Sequence, residues 1–131
     1  MPVLSGLPGR IVAIDGRDGS GKTTLGRFLA WYFNITLIET DLYLKEGGEL
    51  QYETAEINRI ISKRLTIPRP VVIEGVAILQ LLAHLDRRPD YLVYVRNSSF
   101  AGSDSLLPLL ASYERAFKPQ MGADLLLDLS H

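Results

Sequence analysis

The chain of 131 residues has no cysteine, a net charge of only −1 and no long apolar run. Without cysteine it can form no disulfide, thiolate nucleophile or cysteine-based zinc site, and the composition fits a reducing compartment. Its 14 basic and 15 acidic residues nearly cancel, so no overall field attracts nucleic acid or an anionic membrane. No stretch approaches the roughly 18 apolar residues of a membrane-spanning helix, and the first ten residues lack a signal-peptide core. We therefore expect a cytoplasmic protein that binds neither nucleic acid nor membranes.

Apolar residues, in contrast, make up 47% of the sequence. At this length they suffice for one hydrophobic core, which predicts a single domain over residues 1–131. Apolar runs typical of strands alternate with helical patterns. The predicted strands are Ile11–Asp15, Ile35–Glu39, Val71–Glu74, Tyr91–Val95 and Ala123–Leu127. This alternation predicts an α/β protein with a parallel sheet covered by helices on both faces. Ligands of such folds bind at the carboxyl ends of the strands.

Directly after the first predicted strand, residues 16–23 read Gly-Arg-Asp-Gly-Ser-Gly-Lys-Thr, a complete G-x-x-x-x-G-K-[ST] motif. Its glycines would let backbone N–H groups approach a polyphosphate without side chains in the way. Lys22 would bring charge to the β and γ oxygens, and the Thr23 hydroxyl would ligate Mg²⁺. The motif predicts a binding site for ATP and Mg²⁺ formed by Gly16, Arg17, Asp18, Gly19, Ser20, Gly21, Lys22, Thr23 and Thr24.

A helix is predicted after this loop, because apolar residues recur there at the i, i+3, i+4, i+7 spacing of a helix packed on a sheet: Leu25, Phe28, Leu29 and Tyr32. The phosphates would then lie at the helix N-terminus, where unpaired N–H groups and the macrodipole favour anions. The alternative is a glycine-rich turn that joins a strand to a helix and binds nothing.

Three residues follow or close predicted strands at the edge where chemistry would occur. Asp41 is the candidate base that orients an accepting hydroxyl and takes its proton, although an aspartate there also suits a turn. Glu74 can hold Mg²⁺ directly or through water, and its alternative role is a charge at a helix N-terminus. Tyr43 would pack against the sugar or base of a substrate, or else belongs to the core. Asp41, Tyr43 and Glu74 thus form the predicted substrate side of the site.

Together these motifs resemble the P-loop nucleoside kinases, most closely the uridine kinase and phosphoribulokinase group. The likeness lies in the phosphate loop, Asp41-Leu42-Tyr43, Val72-Ile73-Glu74-Gly75-Val76, and residues 113–119 leading into Ala123-Asp124-Leu125-Leu126. It implies a three-layer P-loop fold whose five-stranded parallel sheet has the order 2-3-1-4-5, with Asp41 as the base. The phosphate loop alone, with an acid before Gly16, is equally similar to thymidylate kinases. Their Asp-Arg element is replaced here by Ile73-Glu74-Gly75.

The same group carries an arginine-rich lid after the fourth strand, whose guanidinium groups neutralise charge on the transferred phosphoryl group. In this chain residues 96–105 contain one arginine, Arg96. Arg115 and Lys118 are the other candidate sources of this charge. An arginine from the second subunit of a homodimer is a further source.

The leading hypothesis is an ATP-dependent kinase that phosphorylates a hydroxyl of a nucleoside or a related small metabolite. Its predicted catalytic residues are Lys22, Asp41, Arg96 and Arg115. The alternative is a nucleotide-binding module without transferase activity, a degenerate kinase with a regulatory or assembly role. A GTPase and an ABC-type ATPase are disfavoured, because the sequence has neither an Asn-Lys-x-Asp guanine-reading element nor a Leu-Ser-Gly-Gly signature.

Overall fold

The computed structural model describes residues 10–17, 20–40, 54–66, 70–97 and 107–129. Its strands are β1 (Ile11–Gly16), β2 (Thr36–Glu39), β3 (Val71–Gly75), β4 (Tyr91–Asn97) and β5 (Leu125–Leu129). Its helices are α1 (Lys22–Phe33), α2 (Thr54–Thr66), α3 (Ile78–His84), α4 (Leu107–Phe117) and α5 (Pro119–Gly122). None of these helices is long and apolar enough to cross a membrane.

All five strands pair in parallel in one sheet of order β2-β3-β1-β4-β5, so the predicted topology is confirmed. The central strand β1 is buried along its whole length, as its apolar sequence on both faces requires. At its carboxyl end Asp15 lies opposite Gly75 of β3, and Gly16 lies opposite Val95 of β4. The loop that follows β1 therefore starts in the middle of the sheet edge.

Alternate residues of β1 face two separate cores. Ile11 and Ala13 belong to the core that α2 and α3 cover, whereas Val12 and Ile14 belong to the core on the α1 side. This alternation is the period of two that an extended strand imposes. The predicted layering, with helices on both faces of the sheet, is confirmed.

The buried face of α1 differs from the predicted one. Phe28 and Tyr32 were expected to pack on the sheet, but their exposed fractions are 52% and 63%. The buried residues are instead Lys22, Gly26 and Leu29. Because the loop brings Lys22 inward at the first turn, the rotation of the helix is set there, and residues four and seven positions later face the sheet. The prediction for Phe28 and Tyr32 was therefore wrong.

The last strand begins two residues later than the sequence pattern indicated. It was predicted over Ala123–Leu127 and runs over Leu125–Leu129. The short helix α5 lies just before it, and the Asp124 carboxylate accepts the Leu92 N–H at 2.8 Å. The Asp124 N–H in turn donates to the Leu92 carbonyl oxygen at 2.8 Å, so Asp124 fixes the start of β5 against β4 through both its backbone and its side chain.

Candidate functional site

The phosphate loop begins at a position that only glycine fits. A Cβ on Gly16 would lie 2.5 Å from the Val95 carbonyl oxygen and 2.8 Å from Ser20 Oγ. At the other end of the loop, Gly21 has a φ of +102° and forms the N-cap of α1. This conformation is disfavoured for residues with a side chain. The loop thus begins at Gly16 and ends at Gly21, two positions that do not accept a side chain.

Two polar groups inside the loop, the Lys22 ammonium and the Ser20 hydroxyl, suit a bound anion. The Lys22 side chain is largely buried, and its Nζ donates to the Arg17 carbonyl oxygen at 3.0 Å. Ser20 Oγ is buried and has no hydrogen-bond partner among the described residues. Because a buried hydroxyl and a buried ammonium are costly unless they bind something, their position beside a helix N-terminus fits a phosphate group. Thr24, also predicted to bind nucleotide, is exposed in the same helical turn.

The two predicted metal ligands lie next to each other. Thr23 Oγ1 donates to Glu74 Oε1 at 3.1 Å, which joins the first turn of α1 to the end of β3. Glu74 is 1% exposed. A carboxylate and a hydroxyl are oxygen ligands of the kind Mg²⁺ prefers. The residues present therefore fit a magnesium ion held beside the phosphate loop.

A second carboxylate, which was not among the predicted site residues, lies on the strand next to Glu74. Glu39 of β2 is its register partner in the parallel β2–β3 pair. Arg27 of α1 donates to Glu39 Oε1 through both Nε, at 3.1 Å, and Nη2, at 2.7 Å. These two hydrogen bonds offset the charge of Glu39 on the strand next to Glu74.

The remaining predicted loop and acceptor residues, Asp18, Gly19, Asp41 and Tyr43, lie outside the described residues. The residue before Asp41 is described, however. Thr40 is fully buried where β2 ends, and it packs directly on Gly75. Thr40 therefore lies beside the end of β3.

Gly75→Ala is expected to destabilise the protein by about 1–3 kcal/mol, the usual cost of overpacking a core. The added Cβ would lie 1.8 Å from Thr40 Oγ1, so this buried side chain must rotate or the two strands must separate. Chemical denaturation measures the change. Thr40→Ala should recover part of the loss in the double variant, because it removes the clashing oxygen. Equal stability of Gly75→Ala and the parent would contradict this packing.

The residues predicted to supply positive charge lie on the β4, β5 and α4 side of the sheet. Arg96 donates from Nη2 to Asp128 Oδ2 at 2.9 Å, and the two strands that carry these residues are neighbours. Arg115 is exposed on α4 and donates to Ser112 Oγ at 3.3 Å. Lys118 is exposed between α4 and α5. Their roles in catalysis remain predictions.

A buried acid precedes the loop. Asp15 is 1% exposed and accepts hydrogen bonds from the Gly16 N–H, at 2.8 Å, and from the Tyr113 hydroxyl. Burial raises the pKa of Asp15 to about 6, and the hydrogen bond from Tyr113 opposes this rise. Tyr113 also accepts the Leu79 N–H at 3.1 Å. The sequence feature that could have indicated this buried acid is the position of Asp15 at the end of an apolar strand.

Arg17 of the loop also contacts α4. It donates to the Glu114 carboxylate from Nε at 3.0 Å and from Nη2 at 2.6 Å. The Tyr94 hydroxyl of β4 donates to the same carboxylate at 3.0 Å. The hydrogen bonds from Arg17 lower the pKa of Glu114. Arg17 was predicted to bind the nucleotide, and neither Glu114 nor Tyr94 was predicted to have a role in the site.

Comparison with known proteins points to one class of fold. The chain is 27% identical over 123 residues to shikimate kinase of Thermobifida fusca (strain YX). The aligned part covers 81% of this chain and 72% of that protein. A solved structure of a possible uridine kinase from Bacillus stearothermophilus has a TM-score of 0.63 and 17% identity, and covers 91% of this chain and 88% of its own. No protein-family model matches.

A sugar kinase from Janibacter sp. HTCC2649 is similar to the same extent, with a TM-score of 0.60, 17% identity and coverage of 94% of this chain and 86% of its own. Together with the sheet order, these structures show that the chain has the fold of the P-loop kinases. The predicted resemblance at the level of the fold is confirmed.

Proposed function

We propose that this protein is an ATP-dependent kinase that transfers the γ-phosphoryl group to a hydroxyl of a small metabolite. The observation that carries the proposal is the meeting of three features at one sheet edge: the glycine loop, the buried Lys22 ammonium and the Thr23–Glu74 pair. The similarity to kinases of small molecules supports it.

In this proposal the loop binds the triphosphate. Lys22 Nζ exchanges the Arg17 carbonyl for oxygens of the β and γ phosphates, and the Ser20 hydroxyl gains a partner. Thr23 and Glu74 would hold Mg²⁺, which neutralises charge on the phosphates when it is bound. The N-terminus of α1 adds its dipole to this set.

The acceptor side is assigned to Asp41. Its carboxylate would accept the proton of the substrate hydroxyl as that oxygen attacks the γ-phosphorus, while the bond from phosphorus to the leaving ADP oxygen breaks. Thr40, the residue before Asp41, is buried against Gly75 where β2 ends, and this supports the assignment. Arg96 and Arg115 are proposed to supply positive charge to the phosphoryl group in transit.

We propose a polyhydroxylated acceptor, with a nucleoside as the first candidate and Tyr43 packed on its ring. Kinases named for a uridine, a sugar and shikimate share this fold, and the hydroxyl group is the feature common to these acceptors. A panel of ribonucleosides, sugars and shikimate in a phosphoryl-transfer assay distinguishes them. Transfer to one panel member would identify the acceptor.

Lys22→Ala is expected to weaken ATP binding by about 1.5–3 kcal/mol, the scale of hydrogen bonds to charged groups, or roughly 10- to 150-fold. Isothermal titration calorimetry with Mg²⁺ measures it. Lys63→Ala, at an exposed position of α2, is the control and should bind like the parent. Equal affinities of the Lys22 variant and the parent would refute the phosphate-loop assignment.

A nucleotide-binding module without transferase activity is the second candidate. One observation favours it: two arginines near the loop end of the sheet are held by carboxylates, Arg17 by Glu114 and Arg96 by Asp128. Tight nucleotide binding by the parent, together with no transfer to any panel member, would support this module over the kinase.

A further inference from the structure

Two adjacent residues of α4 hold the phosphate loop from both sides of Gly16. Tyr113 contacts Asp15 on one side, and Glu114 contacts Arg17 on the other. The second of these contacts involves the loop itself. The Arg17 and Glu114 side chains are 30% and 21% exposed, so their ion pair is partly shielded from water.

Arg17 connects this ion pair to the residues that would hold phosphate. Its guanidinium makes two hydrogen bonds to Glu114, while its carbonyl oxygen accepts the Lys22 ammonium at 3.0 Å and the Ser20 N–H at 3.2 Å. Tyr94 in turn holds Glu114 with a hydrogen bond of 3.0 Å. Two hydrogen bonds tie the Arg17 side chain to α4 and so restrict the positions open to residue 17, whose carbonyl oxygen also holds the Ser20 N–H.

We propose that Glu114 is a positioning residue for nucleotide binding, which acts through Arg17 to hold the phosphate loop in its binding shape. This inference rests on the proposed function, since it assigns a role in binding the nucleotide. Glu114 touches no reacting atom in this scheme. Its contribution is the rigidity of the loop before the nucleotide arrives, and a preorganised site binds more tightly than one that must be ordered on binding.

Direct binding of phosphate by Arg17 would give the opposite result for a Glu114 variant. If Arg17 were itself a phosphate ligand, Glu114 would compete with the nucleotide for the guanidinium and repel its negative charge. Neutralising Glu114 would then strengthen binding. Under the positioning role the same change weakens binding, so the sign of one measurement separates the two arrangements.

The experiment compares ATP·Mg²⁺ binding by calorimetry in the parent, Glu114→Gln, Arg17→Ala and the double variant. We expect Glu114→Gln to weaken binding by about 3- to 10-fold, the scale of a lost charge-assisted interaction that is partly exposed. The double variant should be no weaker than Arg17→Ala alone, because both changes remove the same pair. In steady-state assays the KM for ATP should rise while kcat at saturating ATP is retained, a split that general loss of structure would not produce.

Glu56→Gln is the matched control, because it neutralises the glutamate of an exposed ion pair with Arg59 on α2. It should bind like the parent. If Glu114→Gln does not fold, Arg17→Lys tests the same pair, since it keeps the charge and loses the two-pronged contact. It should weaken binding to a similar degree.

The outcomes separate this inference from the proposed function. Absence of ATP binding by the parent would overturn the proposed function and this inference with it. Binding by the parent together with equal or tighter binding by Glu114→Gln would overturn the inference alone. Additive losses in the double variant would also overturn it, because they would mean that Arg17 and Glu114 act independently.

Discussion

Asp41→Asn is expected to retain the ATP·Mg²⁺ affinity of the parent and to reduce phosphoryl transfer by about 10²–10⁴-fold, the usual contribution of a positioned base. The phosphates are assigned to the loop and to Lys22, so removal of the acceptor-side charge should leave them bound. Asparagine keeps the size of the side chain but cannot take the proton of the hydroxyl. Calorimetry measures the affinity, and a coupled assay of ADP formation with the identified acceptor measures the rate.

Glu74→Gln serves as the contrasting variant for this prediction. Because Glu74 contacts Thr23 and is assigned to the metal, its change should raise the magnesium concentration needed for activity. If Asp41→Asn transfers phosphate as fast as the parent, Asp41 is not the base and serves only in a turn.

Asp15→Asn is expected to stabilise the protein at neutral pH by up to about 3 kcal/mol, which corresponds to a shift of about two pKa units. In the folded state the pKa of Asp15 is raised from 3.8 to about 6 by burial. Between these pH values the folded state binds a proton that the unfolded state has released, so stability falls as the pH rises through this window. Asparagine carries no charge and can still accept the Gly16 N–H.

Chemical denaturation of parent and variant from pH 4 to pH 8 tests this prediction. The two proteins should differ little near pH 4 and diverge as the pH rises to about 6. The control, Asp128→Asn, removes the carboxylate of an exposed ion pair with Arg96 and should change stability by less than about 1 kcal/mol at every pH. A constant difference between Asp15→Asn and the parent across the range would mean that Asp15 is ionised throughout.

Two local regularities made most of the fold predictable. The apolar runs of β1, β3 and β4 are short and bounded, and the described strands begin and end within two residues of the predicted ones. The glycine-lysine-threonine spacing marks the loop because backbone N–H groups, an ammonium and a hydroxyl must follow one another at fixed intervals to surround phosphates. The meeting of Thr23 with Glu74 followed from the rule that parallel strands share one carboxyl edge.

The same regularities could not determine how helices turn or which distant residues meet. The predicted stripe was right for Leu29, which is buried, but wrong for Phe28 and Tyr32, which are exposed. The face that α1 buries also contains Lys22 and Gly26. Hydrophobic spacing gives the period of a helix. Its rotation follows from the loop that anchors the first turn and from the close approach of Gly26 to Leu37, where a Cβ would lie at 3.0 Å.

By itself, then, the sequence determined the strand and helix on either side of the glycine motif, the parallel sheet and the place of Glu74 at its edge, because each is encoded in neighbouring residues or in a short period. Tertiary structure alone decided that Arg17 pairs with Glu114, 97 residues away, and that Tyr113 reaches Asp15 across 98 residues. Such pairs depend on the position of α4 over the sheet. That position results from packing summed over the whole core, which no local pattern contains.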